Sequence, residues 1–162
     1  MKYFVYLSIA GEDKISIFTM DSEHGKLTFR EDVTTAGGPG PLAADPRLEY
    51  LYAGIRSTRK LSTFRIDHAS GGLSAIGTVS LPSDPCFLTT DRTGRFLLSS
   101  YYKAGRAAVH PIGGDGVAGE PSIEWISTAE KAHSIQTDPS NRFAFVPHTA
   151  GPNLIFQFEF DQ

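Results

Sequence analysis

Two histidines are candidates for proton-transfer chemistry. His133 lies in the stretch KAHSIQ and His148 in VPHTAG, each next to an apolar segment. An imidazole titrates near neutrality, so it can take a proton from water and return it to a leaving group. Each could instead serve the scaffold, with His133 bonding backbone groups and His148 packing on the neighbouring proline. The residue types suggest acid–base catalysis without deciding between chemistry and structure.

Three further side chains could hold a substrate. Arg56, in AGIRSTRK, carries a planar guanidinium whose donors suit a phosphate or a carboxylate. Tyr101 and Tyr102 are adjacent, so in a strand at most one of the two rings can face a binding site. We predict that Arg56, Tyr101 and Tyr102 bind the substrate.

Metal and nucleophile patterns are missing from the sequence. Cys86 has no spacing to a histidine that indicates a catalytic pair, and we interpret it as a small buried thiol. Neither a Gly-rich phosphate loop nor a G-x-S-x-G turn occurs. The remaining histidines have no metal-ligand spacing (His24, His68 and His110). The sequence therefore predicts no metal site.

A repeat of 46 to 47 residues organises the chain and must position these side chains. It is marked by the stretches DPRLEYLYAG, DRTGRFLLSS and DPSNRFAFVP, which begin at Asp45, Asp91 and Asp138. An aromatic residue follows each aspartate five positions later. Because Asp-Pro opens two of the three stretches, we interpret the aspartates as turn residues rather than catalytic carboxylates.

Each repeat holds short alternating segments separated by turns, which is typical of a four-stranded propeller blade. Counting back one period from Tyr50 reaches Tyr3, so the apolar N-terminus is interpreted as a blade strand. The sequence predicts an all-β protein with about three and a half four-stranded blades of a β-propeller. Three, four, four and three strands are expected in approximate units 1–38, 39–84, 85–131 and 132–162.

An incomplete ring would leave sheet edges open, and a propeller protects its edges only by closing. Two copies of this chain would not close a ring with their strands in phase. We therefore expect the N-terminal half of a single propeller domain, because seven such units need ~325 residues. The second half of the propeller, or another copy, is expected to cover the open blade ends.

Composition narrows the range of partners. The net charge is −3 and the sequence has no basic run, which argues against nucleic acid and anionic membranes. No segment approaches the ~18 apolar residues of a membrane span. A single cysteine excludes an internal disulfide and fits a reducing compartment. We expect a cytoplasmic protein that acts on a small molecule.

Three stretches carry a family resemblance: GPGPLAADPRLEYLYAGIR, PCFLTTDRTGRFLLSSYYKAG and AHSIQTDPSNRFAFVPHTAG. They resemble the seven-bladed β-propeller lactonases, which include propeller-type 6-phosphogluconolactonase and 3-carboxy-cis,cis-muconate lactonizing enzyme. The resemblance implies a lactonase that hydrolyses a sugar-acid lactone, without a metal or other cofactor. The alternatives are a cycloisomerase that closes a lactone ring on a muconate, and a non-catalytic propeller that serves as an interaction scaffold.

Propeller geometry predicts where the site lies. Residues just before the innermost strand and just after the second strand meet at one mouth of the central channel, so we place the site there. The resemblance implies His133 for proton transfer, because muconate-cyclising relatives have a similarly placed histidine. The predicted site comprises His133 and His148 as catalytic residues, with Arg56, Tyr101 and Tyr102 binding the substrate.

Overall fold

The computed structural model describes residues 3–120, 125–149, 151 and 153–161, which form fourteen strands. Apart from these strands, the described residues include a short 3₁₀ turn at Ala10–Glu12. The strands are β1 (Tyr3–Ile9), β2 (Lys14–Asp21), β3 (Lys26–Thr34), β4 (Pro39–Ala44), β5 (Tyr50–Ile55), β6 (Lys60–Ile66), β7 (Leu73–Ser80), β8 (Phe87–Thr90), β9 (Phe96–Tyr101), β10 (Arg106–Pro111), β11 (Ile126–Ser127), β12 (Gln136–Thr137), β13 (Phe143–Pro147) and β14 (Ile155–Glu159).

The strands form four antiparallel sheets in which each strand pairs with its neighbours in the sequence. The orders are β1-β2-β3, β4-β5-β6-β7, β8-β9-β10-β11 and β12-β13-β14. Four consecutive antiparallel sheets with three, four, four and three strands confirm the predicted partial propeller. In the segment that leads into β11, positions 121–124 lie outside the described residues.

The turn aspartates organise the connection between the first two strands of a full blade. One carboxylate oxygen of each accepts a hydrogen bond from the amide five residues later, at 2.7 Å for Asp45, 2.9 Å for Asp91 and 3.0 Å for Asp138. The other oxygen accepts from the amide two residues later, at 3.0 Å in all three turns. The interpretation as turn residues is therefore confirmed.

The hydrophobic core lies in layers between neighbouring sheets. In β5, Leu51 and Ala53 pack in the layer that includes Ile15 of β2, whereas Tyr52 packs with Leu97 of β9 on the opposite side. Alternate residues of one strand thus enter two different layers, because side chains alternate across a sheet. A third layer joins the last two sheets through Leu98, Ala107, Val109, Ile135, Ala144 and Val146.

The two terminal sheets expose large apolar side chains. Phe29 is 55% exposed on β3 and Ile155 is 65% exposed on β14. Tyr3, Leu7 and Leu154 are exposed as well. In the described part of the chain, no helical segment has the length and apolar character of a membrane span.

Candidate active site at the mouth of the blades

The entry to each inner strand lies against the end of the second strand. The amide of Cys86 donates to the Ser100 carbonyl at 2.9 Å, and the amide of His133 donates to the Pro147 carbonyl at 3.0 Å. In the second sheet, the Arg56 amide donates to the Gly38 carbonyl at 2.9 Å. The structure therefore brings together, in each of these blades, the two chain segments whose meeting the sequence analysis predicted.

His133 is exposed at this mouth. Its ring lies edge-to-face on Tyr102, with 5.8 Å between the ring centroids and an interplanar angle of 80°. No hydrogen bond engages the imidazole nitrogens among the residues described, so both nitrogens can meet water or a substrate. Such an arrangement suits proton transfer, because the acid–base group needs access to the reacting atoms.

Cys86 supports the main chain that carries His133. Its Sγ lies 3.1 Å from the Ala132 carbonyl oxygen and 3.3 Å from the Ser100 hydroxyl oxygen. The Ala132 carbonyl can only accept, so the thiol is the donor of that bond. The thiol is partly buried and touches the backbone of the next blade. Its position is that of a connector between the last two sheets.

His148 faces the interior rather than the mouth. It is 5% exposed, and its Nε2 accepts a hydrogen bond from the Ala129 amide at 3.2 Å. Its ring centroid lies 5.2 Å from that of Phe156. Nδ1 is buried and has no hydrogen-bond partner among the described residues. This placement argues against the predicted catalytic role, because the accepting nitrogen is occupied by backbone.

The repeat contains a signal that anticipates this placement. The residue ten positions after each turn aspartate is Ile55, Tyr101 or His148. All three are buried, and the first two are 0% exposed. The equivalent position in these three blades therefore belongs to the core, and aligning His148 with Ile55 would have assigned it to the scaffold.

The two adjacent tyrosines separate as strand alternation requires. Tyr101 is fully buried, and its ring centroid lies 4.4 Å from that of Trp125. Burial raises the pKa of Tyr101 to about 12. Tyr102 is half-buried beside His133. The substrate-binding prediction is corrected for Tyr101, whose ring is packed in the core, and it stays a prediction for Tyr102.

The Arg56 side chain lies across Gly40, which has no side chain to obstruct it. A Cβ at Gly40 would collide with Cγ and Cδ of Arg56, so the side chain lies directly over that glycine. Its Nη2 is 3.5 Å from Oδ2 of Asp84, and the same oxygen is 3.9 Å from Nζ of Lys103. Asp84 and Lys103 could not be identified from the sequence, because only the folded geometry brings them to Arg56.

A buried serine–histidine pair lies away from the mouth. Nε2 of His110 is 2.9 Å from the Ser99 hydroxyl, and Nδ1 is 3.2 Å from the Gly119 carbonyl. A carbonyl can only accept, so Nδ1 donates to it and the neutral ring accepts from Ser99 at Nε2. Burial lowers the pKa of His110 to about 4 and keeps the ring neutral. With an exposure of 0%, this pair belongs to the interior of the blades.

Two other features bear on where a ligand could bind. Two clefts lie at the opposite end of the strands, beside the turn residues Asp45 and Asp91. Within the described ranges, no three histidine, cysteine, aspartate or glutamate side chains gather as metal ligands.

The chain is similar to proteins of one family. A family model described as "Lactonase, 7-bladed beta-propeller" matches residues 2–162. Proteins named 6-phosphogluconolactonase from Pectobacterium carotovorum subsp. carotovorum and Serratia proteamaculans are each 35% identical to it over 147 residues. These alignments cover 91% of this chain, but 43% and 44% of the relatives. The chain thus spans less than half the length of these curated relatives.

Solved structures show the same fold at low sequence identity. A putative 6-phosphogluconolactonase from Bacteroides fragilis has a TM-score of 0.79 and 20% identity, with 90% of this chain and 45% of that chain covered. The periplasmic gluconolactonase PpgL of Pseudomonas aeruginosa has a TM-score of 0.81 and 22% identity, with 98% and 49% covered.

Proposed function

This chain belongs to the seven-bladed β-propeller lactonase family, and we propose that the full-length protein hydrolyses a sugar-acid lactone of the 6-phosphogluconolactone kind. Relatives named 6-phosphogluconolactonase, at 35% identity, support the choice of substrate class. The observation that carries the proposal for the site is the exposed His133 imidazole at the mouth, beside Tyr102.

In the proposed reaction, His133 is the general base. A ring nitrogen takes a proton from water as the water oxygen forms a bond to the lactone carbonyl carbon. The tetrahedral intermediate then collapses, the bond between this carbon and the ring oxygen breaks, and the imidazolium returns the proton to that oxygen. The product is an open-chain hydroxy acid, and the histidine ends in its starting form.

The other exposed groups at the mouth bind and orient the substrate in this proposal. Tyr102 contacts the His133 ring, and its phenol hydroxyl can hydrogen-bond to the substrate. Arg56 offers its guanidinium to an acid group of the substrate. His148 has a supporting role, since its Nε2 is engaged by backbone.

Product analysis tests the proposed function. Purified full-length protein is expected to convert 6-phosphogluconolactone to 6-phosphogluconate well above the spontaneous rate. A coupled oxidation of the product measures this conversion. Closure of a lactone ring on 3-carboxy-cis,cis-muconate, with no acceleration of lactone opening, would identify a cycloisomerase instead. Failure to turn over either compound would point to a non-catalytic scaffold.

A further inference from the structure

Two cationic side chains from neighbouring blades share one carboxylate at the mouth. Arg56 follows β5 in the second sheet, whereas Asp84 precedes β8 and Lys103 follows β9 in the third. Oδ2 of Asp84 lies 3.5 Å from the arginine and 3.9 Å from the lysine. The cluster has a formal charge of +1, and its two cations converge on a single point between the blades.

The backbone around Arg56 is fixed before any ligand arrives. The Arg56 amide donates to the Gly38 carbonyl at 2.9 Å, and the Gly38 amide donates to the Ser57 hydroxyl at 2.8 Å. The side chain then lies across Gly40, where a larger residue would collide with it. A guanidinium ordered in this way loses less conformational freedom when it binds a ligand.

The existing ion pairs are loose. Both distances exceed the ~2.7–2.9 Å of a charge-assisted hydrogen bond. The side chain of Arg56 is 50% exposed and that of Lys103 is 78% exposed, so solvent screens both pairs. Exposed pairs of this kind contribute little to stability. The donors therefore remain available to an anion that carries more charge than one carboxylate.

We propose that Arg56 and Lys103 form a subsite for a phosphate monoester, with Asp84 pairing with both cations while the subsite is empty. A guanidinium can contact two phosphate oxygens at once, and the ammonium adds a second, point-like charge. The inference rests on the proposed function: the phosphate end lies between the second and third sheets, while His133 acts on the lactone from the fourth.

Substrates with and without the phosphate separate this subsite from the rest of the site. In the full-length protein, Lys103→Ala is expected to raise KM for 6-phosphogluconolactone about tenfold, the scale of one lost charged hydrogen bond. KM for unphosphorylated gluconolactone should stay within about twofold, because that lactone has no group for Lys103. Asp84→Asn should lower KM for the phosphorylated lactone, because a competing negative charge is removed. Arg47→Ala, an exposed arginine at the opposite end of the strands, is the charge-matched control.

Equal effects of Lys103→Ala on both lactones, or no effect on either, would overturn the subsite. A raised KM in Asp84→Asn would overturn the competing role of that carboxylate. Direct calorimetric binding of 6-phosphogluconate distinguishes the two proposals. Binding that weakens in Lys103→Ala, in a protein that does not turn over lactones, would keep the subsite and reject the lactonase function. Turnover of lactones that does not depend on Lys103 would keep the lactonase function and reject the subsite.

Discussion

The imidazole of His148 is hydrogen-bonded to the segment that follows the third sheet and packs against a ring of its own sheet. Replacing it in His148→Ala removes the acceptor for the Ala129 amide and leaves a cavity beside Phe156. We expect a lower Tm and a fall in kcat of less than about tenfold, below the 10²–10⁴-fold usual for a lost acid–base group. Thermal melting and steady-state kinetics of the full-length variant measure both quantities. A 10²-fold loss of kcat with an unchanged Tm would instead place His148 in the reaction.

Sequence and structure agree at the residue scale where the repeat itself carries the information. The turn role of Asp138 was predictable, because three copies of the same stretch share the aspartate and its spacing. The sequence did not show which of Tyr101 and Tyr102 is buried, since strand alternation establishes only that adjacent side chains point to opposite faces. The approach of Lys103 to Arg56 could not be predicted from the sequence, because the two residues lie in different blades and their distance depends on how the sheets stack.

At the scale of single strands, β9 and β10 are joined by a buried polar chain. The Ser99 hydroxyl lies 3.0 Å from the Tyr101 hydroxyl and 2.9 Å from Nε2 of His110. Ser99 thus links the tyrosine hydroxyl to the unprotonated Nε2 in one hydrogen-bonded chain. A chain of this kind fixes the register of the two strands as long as the imidazole stays neutral.

The buried His110 in this hydrogen-bonded chain predicts that the free energy of unfolding falls in acid. Burial lowers the folded-state pKa of His110 from 6.5 to about 4. The folded state therefore disfavours the protonated ring, and the stabilisation is complete above pH 6.5 and is lost as the pH falls to about 4. The loss is on the order of 3 kcal/mol, at roughly 1.4 kcal/mol per pKa unit. His110→Gln, which does not titrate, should flatten the denaturant-unfolding profile across this window. An identical slope in both proteins would show that His110 does not govern it.

The order of elements followed from the sequence because a propeller blade is a local structure. Each strand pairs with the next one along the chain, so a period, a turn and an alternation are enough to predict the sheets. The meeting of strand ends at the mouth could also be predicted from the sequence, because it depends only on which strand ends face the same way. What each side chain meets there depends on packing between blades, which the period does not encode.

At the scale of the whole molecule, the exposed ends of this partial propeller have a measurable consequence. Tyr3, Leu7, Phe29 and Ile155 are each 42–65% exposed, and all four lie in the two terminal sheets. Leaving a large apolar side chain in water costs about 1.5–3 kcal/mol relative to burying it. Residues 1–162 expressed alone should therefore associate through these ends in sedimentation velocity. A monodisperse monomer that melts sharply above ~60 °C would contradict this expectation.

Hydrolysis of 6-phosphogluconolactone by the full-length protein and its His133→Ala variant tests the proposed site most directly. We expect the variant to lose about 10²-fold or more in kcat with a nearly unchanged Tm, because the exposed imidazole carries the proton and its described ring contact is the edge-to-face one with Tyr102. His24→Ala is the control, since that histidine is 75% exposed on a distant hairpin and should leave kcat unaltered. Wild-type turnover in His133→Ala, after subtraction of spontaneous hydrolysis, would contradict catalysis by His133 at the mouth.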